Sequence, residues 1–321
     1  MFMYTRDAQQ QALAFLISQA THIEPQVIQI RYPDIQYPAL VPVDTSANEW
    51  AKSVTFFSMD RIGRADWFHH MAKDVPIADV THEKFEKGIE MAAIGYRYSL
   101  EELGYAMLIP GTNLSTERPA AARRAYEEFI DDIALRGSEV KNWTGLINDP
   151  NVAVILVEND GTGSNMSWDT KTADQVLRDV NAILTGVYTE SLTVEMADTL
   201  LLPVAAMSSI ATRRIPDTTM TILQFLQLNN VYTMQSGQPL TIRAVRGLEN
   251  SGTANTARMV AYRRDPQVVK LHLPMPHRFL PVWQTGPMVF DVPGIFRTGG
   301  VEIRRPGAFR YADGIMDAPY E

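Results

Sequence analysis

The clearest pattern of apolar and polar positions in this chain lies at 117–136, ERPAAARRAYEEFIDDIALR. Ala122, Tyr126, Phe129 and Ile133 recur at helical spacing and predict one buried stripe on a long helix. Ser115 and Thr116 are placed to cap its first turn, and Glu117 complements the positive end of the helix dipole. Pro119 falls where no hydrogen bond is needed, and Gly137 reads as the stop. Arg123–Glu127 and Arg124–Glu128 are expected as ion pairs on the far side, with Asp131 and Asp132 on the same solvated face. At 1.5 Å per residue such a helix is roughly 30 Å long, enough to act as a strut across a domain.

The pattern differs on either side of that helix. Residues 1–45 read as an arm: an amphipathic segment, then VIQIRYPDIQYPALVPVD, where Pro33, Pro38 and Pro42 forbid a helix. Its many apolar groups predict an extended chain lying on another surface, either of its own domain or of a neighbour. Residues 46–98 read as a hairpin: alternation over Trp50–Phe57 and past Gly63, a polar tip at 68–82, and a return strand in EKFEKGIEMAAIGYRYS. A two-stranded ribbon is marginal alone, so a projecting one implies a partner. Ser99 and Glu102 have capping-box spacing for a short helix.

After the long helix, a turn at Asn148-Asp149-Pro150 leads to a short strand at 152–157. A second helix opens near Asp169, with Ala173, Val176, Leu177, Val180, Ile183 and Leu184 as its stripe. Thr199–Leu202 is a buried strand, Pro203 opens a helix, and Thr218-Thr219 cap another over Met220–Leu228. LTIRAVRGL and ARMVAYRRD are strands, and the proline-rich stretch from Pro266 has no helical period and predicts several short strands. The sum is α+β.

Composition narrows the functional classes. A formal charge of −8 without a basic block argues against gripping nucleic acid in a cationic groove. With no cysteine, disulfides, thiol catalysis and thiolate-bound zinc are excluded. No run of about 18 apolar residues appears, so no membrane partner is expected, and the chain reads as a soluble intracellular product. Gly161-Thr162-Gly163 lacks the rest of a dinucleotide fingerprint and reads as a loop. His69, His70 and His82 with Asp66 and Asp74 read as solvated, because adjacent residues of a strand point to opposite faces. His272 and His277 have no carboxylate near them in sequence, and no G-x-S-x-G occurs. No catalytic, cofactor-binding or metal-ligating residue is assigned, and no cofactor is expected.

The order of parts, with IGYRYSLEELGYAM at 94–107, AAARRAYEE at 120–128, GLINDPNV at 145–152 and ADTLLLPVAAMSSIATRR at 197–214, resembles the major capsid proteins of tailed bacteriophages. The resemblance covers most of 45–321. It implies a Hong Kong 97-type α+β fold: an N-terminal arm (1–45), an extended hairpin loop (46–98), a peripheral domain (99–149) with its spine helix at 117–136, an axial α/β domain (150–265), and a β-rich return (266–321). It further implies a structural, non-enzymatic protein that self-assembles into an icosahedral head around double-stranded DNA, built in the host cytoplasm and located in the virion. The implied partners are copies of itself, as hexamers and pentamers joined through arm, hairpin and axial domain, with portal and scaffold proteins. DNA is touched only weakly and non-specifically. The alternatives are an encapsulin-like compartment, a tail or adaptor protein, and a cytosolic α/β enzyme.

The stripe predicts that Phe129→Asp or Ile133→Asp prevents folding. Charge reversal at Glu127 or Asp131 is expected to spare the fold and to act on assembly.

Overall fold

The computed structural model describes residues 34–67, 77–102 and 114–317. At its centre is a five-stranded sheet in the order Thr241–Ala244, Thr199–Leu202, Arg258–Tyr262, Phe309–Asp313, Val154–Leu156. Arg258–Tyr262 runs antiparallel to both of its neighbours, and the two outer pairs are parallel. Successive residues of a strand face opposite sides, and both sides of this sheet are apolar. Leu201, Val260 and Tyr311 are aligned across three strands and enter one core. Leu200, Leu202, Met259, Ala261 and Ala312 enter the other.

The second core is closed by the helix Ala173–Glu190, whose Val176, Val180, Ile183, Leu184 and Val187 are buried. Thr172 and Gln175 form a reciprocal capping box at its start. Thr199–Leu202 is buried at all four positions, as its unbroken apolar run requires, and Pro203 leads into the helix Val204–Thr212. The next helix is Ile222–Leu228, capped by Thr221, not by Thr218-Thr219.

The first core is closed by the long helix, Leu114–Arg136. It starts earlier than the sequence suggests, so Ser115 and Thr116 lie within it. Gly137 ends it at φ 80°, where a Cβ would sit 2.1 Å from the Trp143 carbonyl oxygen, so no other residue fits without displacing backbone. Its buried stripe is Ala122, Tyr126, Ile130, Ile133 and Ala134. Phe129 is a correction: it is 46% exposed and meets the core residue Phe296 edge-to-face. At about 100° per residue the stripe centres near Ile130, and Phe129 falls on its open border.

The proline-rich return forms three small sheets that stitch it to segments before the long helix. Val269–His272 lies between Val43–Asp44 and Gly300–Ile303; Gly294–Thr298 lies between Met275–Phe279 and Glu90–Ala93; Val289–Val292 lies between Trp283–Gly286 and Tyr96–Ser99. Residues 100–102 are helical, and the Glu102 carboxylate accepts from the Ser99 N–H as the capping box requires. The rest of that helix lies outside the described residues, as do residues 1–33 of the arm, His69, His70 and Asp74. A one-turn helix, Tyr37–Leu40, forms where the prolines were expected to forbid one. Pro38 sits in its first turn, where its missing N–H has no partner to lose.

Candidate functional site

Three arrangements stand out: the anchorage of the arm on the long helix, a two-sided exposed hairpin, and buried ion pairs that tie the lobes together.

The arm is anchored by the acids that the sequence assigns to solvent. Asp131 is buried, and its Oδ1 accepts from the backbone N–H of Gln36 at 2.9 Å and of Tyr37 at 2.7 Å. The Tyr37 hydroxyl donates to Glu127 at 2.8 Å, so the expected Arg123–Glu127 pair is replaced, whereas Arg124–Glu128 forms at 2.8 Å. Burial, followed by Glu127, pushes the Tyr37 hydroxyl well above its usual range. Further along, the Tyr262 hydroxyl donates to the Leu40 carbonyl at 2.7 Å and Arg264 to the Pro38 carbonyl at 3.0 Å. The expectation that reversal at Glu127 or Asp131 spares the fold is therefore corrected, because both acids serve the chain's own arm. Asp131→Ala is expected to cost about 3 kcal/mol, since it strands two donors that now meet a charged acceptor. Neighbouring Asp132 is exposed, and Asp132→Ala should stay within about 0.5 kcal/mol. Denaturant midpoints of the two variants check this.

The hairpin pairs Ser53–Ile62 with Asp79–Gly88 in unbroken antiparallel register. Partners in register share a face. One face carries Val54/Lys87, Phe56/Phe85, Ser58/Glu83, Asp60/Thr81 and Ile62/Asp79. Its base rests on the chain's own body: Phe56 stacks on Phe85 at 5.0 Å and lies under the Arg304 guanidinium, while Lys87 sits 6.0 Å from the Trp143 ring. Burial lowers the Lys87 ammonium below its ordinary value, against the pull of Glu302 and Asp149. The other face carries Thr55/Glu86, Phe57/Lys84, Met59/His82 and Arg61/Val80. Phe57 is 69% and Met59 56% exposed, and nothing among the described residues covers them. His82 therefore stands in the strand, apart from any ligand set. Among the described residues no cluster suited to a metal ion occurs, and no helix is long and apolar enough to cross a membrane.

Buried charges join distant segments. Arg258 forms a two-pronged pair with Asp313 at 2.7 and 2.9 Å, donates to the Ile147 carbonyl and stacks 4.6 Å from the Tyr311 ring. Thr253 donates to Asp313 through its backbone N–H and its hydroxyl. Lys171, fully buried, donates to Asp179 at 2.6 Å, where the Trp168 indole N–H also donates; Arg178 ties Asp179 to Asp160. His272 lies 2.9 Å from Glu302 through Nε2, although the two are 30 residues apart, and Arg304 donates to the same carboxylate. The sequence carried no signal for these partners, because each depends on which strands become neighbours.

Burial works to raise the Asp313 and Glu302 carboxyls, but hydrogen bonds from Arg258 and the Thr253 backbone, and from His272 and Arg304, hold both below the usual range. Asp44, bonded to Lys270 and Ser46, is held low in the same way. A carboxyl depressed in the folded state contributes stability above its unfolded value, about 4, and that contribution is lost as pH falls through the folded value. The protein should therefore lose stability progressively below about pH 4. Asp313→Asn should flatten that acid limb in pH-dependent thermal melts.

This architecture has known counterparts. A capsid chain of Myoviridae phage XM1 superposes with a TM-score of 0.77 at 16% identity, over 93% of this chain and 98% of that one. A chain of Mycobacterium phage Ogopogo gives 0.61 at 14% identity over 94% and 98%, and the capsid of an empty GTA particle gives 0.57 at 10% over 97% and 100%. The fold is thus the α+β fold of phage capsid subunits. No curated protein matches the sequence. The family model for the major capsid protein matches residues 63–315, and the chain belongs to that family. Its role is structural and non-enzymatic, its place is the virion capsid, and it assembles from many copies of itself.

Proposed function

We propose that this chain builds an icosahedral bacteriophage head of Hong Kong 97-type around double-stranded DNA. In this reading the arm (1–45), anchored on the chain's own long helix at Gln36 and Tyr37, and the hairpin loop (46–98) reach neighbouring subunits. The peripheral domain (99–149) and the β-rich return (266–321) form the wall. The axial domain (150–265) meets its copies around the axes of hexamers and pentamers. Head-to-tail contacts of this kind close into rings. Portal and scaffold proteins complete the set of partners, and the acidic chain touches the packaged DNA only weakly.

The observation that supports this most is the hairpin. A ribbon exposing Phe57 and Met59 on an otherwise uncovered face is unstable against water by itself and implies burial on another subunit. The expected test result is that the 36.0 kDa chain leaves size-exclusion chromatography as rings or particles many times its own mass. Elution as a stable monomer under assembly conditions, including co-expressed scaffold, would count against the proposal.

A further inference from the structure

We infer that Arg136, Arg243, Arg246 and Arg264 form a cationic track that touches the phosphates of the packaged duplex, so that the long-helix side of the central sheet faces the DNA. The inference rests on the shell reading above and names the residues behind its weak DNA contact.

The four arginines come from separate elements but meet on one side of the central sheet. Arg243 is in register with Leu201, which points into the first core, so Arg243 emerges on the side of the long helix. Ile242, its neighbour, is in register with Leu200 and enters the second core. The arm residues 34–40 run along the track. Arg264 donates to the Pro38 carbonyl, Arg243 lines a groove with Ala39 and Leu40, and Arg246 donates to the Asp34 carbonyl at 2.8 Å. Beyond Ile35, Arg136 and Arg246 line a second groove at the end of the long helix.

These cations are not spent on the chain's own acids. All four are exposed. Arg136 and Arg243 have no ion-pair partner among the described residues, the Arg264 side chain bonds a backbone carbonyl, and Arg246 reaches Asp131 only at 4.0 Å. The acids beside them are mostly engaged. Asp131 holds the arm amides, Glu128 pairs with Arg124, Glu249 accepts from the Gly247 N–H, and Asp198 accepts from the Thr199 hydroxyl and the Arg264 N–H. Asp265 lies 3.7 Å from Arg263. Asp34 and Asp132 are exposed without an ion-pair partner, so the free charges on this side are four cations against two acids.

Across the sheet the balance reverses. Asp169 and Asp174, at the start of the helix Ala173–Glu190, are exposed and unpaired, while Arg178 is spent on Glu158 and Asp160. Arg214 is an exposed cation on that side, after a helix that buries Ala206 and Ile210 in the second core. A chain of net charge −8 that must lie against a duplex gains by turning its free arginines toward the phosphates and its free acids away. A few exposed arginines without a closed groove give contact that is weak, blind to sequence and sensitive to salt.

The test is fluorescence anisotropy of a labelled duplex oligonucleotide with the unassembled chain across a salt series. Each neutralised phosphate adds about 0.9 to the slope of log affinity against log salt. R136Q/R243Q removes no hydrogen bond of the fold; it should assemble normally and lower that slope by about 2. R214Q, on the opposite side, should leave the slope unchanged. An unchanged slope in R136Q/R243Q, an equal loss per arginine in R214Q, or no binding by the wild-type chain at low salt overturns the inference. Equal competition by polyglutamate also overturns it, making the track a seat for an acidic protein segment. In filled heads the outermost duplex layer should lie on the long-helix side. A layer against the helix Ala173–Glu190 overturns the inference and leaves the shell reading standing. Failure of the chain to form closed particles, with the expected slopes intact, would instead remove the shell reading and leave a duplex-binding surface.

Discussion

Ile130→Asp is expected to yield no folded protein. Ile130 is fully buried on the long helix and packs in the core that joins the central sheet, Leu146, Ile147 and the proline-rich return. Removing a buried branched side chain of this size costs about 2–5 kcal/mol. The aspartate adds a buried carboxylate with no cation provided for it, a further several kcal/mol or a forced protonation, roughly. The sum approaches the whole stability of an ordinary domain, about 5–15 kcal/mol. Ile133→Asp should behave alike, because Ile133 is also buried. Phe129→Asp should still fold, losing an edge contact with Phe296 but placing its charge at a water-exposed border. Soluble yield and far-ultraviolet circular dichroism of the three variants distinguish these outcomes. A cooperative melt of Ile130→Asp near the wild-type temperature would show that the long helix is not the keel of the core.

Arg258→Ala is the second large effect, expected to cost about 3–5 kcal/mol. The loss comes mainly from what remains. Asp313 is completely buried, keeps only the two donations from Thr253, and becomes an uncompensated charge between two cores. The Ile147 carbonyl also loses its donor, which loosens the turn behind the long helix. Replacing both partners with apolar groups, Arg258→Met with Asp313→Leu, should cost less than Arg258→Ala alone, since no charge is then stranded. Urea midpoints of the single and double variants decide this. If the single variant were within about 1 kcal/mol of wild type, Asp313 would have to find water or a proton at little cost.

How far the sequence could be read follows from the range of each interaction. The helix Ala173–Glu190 and the strand Thr199–Leu202 emerge where predicted, because caps and apolar periods act over a few residues. The hairpin is legible for the same reason. Phe129 falls outside the buried stripe because a stripe drawn from one helix has a direction but no border; the border depends on where Phe296 and the arm settle. Asp131 is buried although, as an acid beside other acids, it resembles solvated surface in the sequence. Its partners are two backbone N–H groups more than ninety residues away, and backbone donors leave no mark in the sequence. The same holds for His272 with Glu302 and Arg258 with Asp313, which meet only after strands pair. The hairpin's need for a partner is an expectation from its sequence, whereas which of its side chains share a face is fixed only by the register of its strands.

The most direct test of the central claim is electron cryo-microscopy of the assembled chain. The account predicts closed icosahedral particles in which every hairpin lies over an adjacent subunit, with Phe57 and Met59 out of solvent. Assembly into a small oligomer of fixed size, with those side chains still facing water, would contradict it.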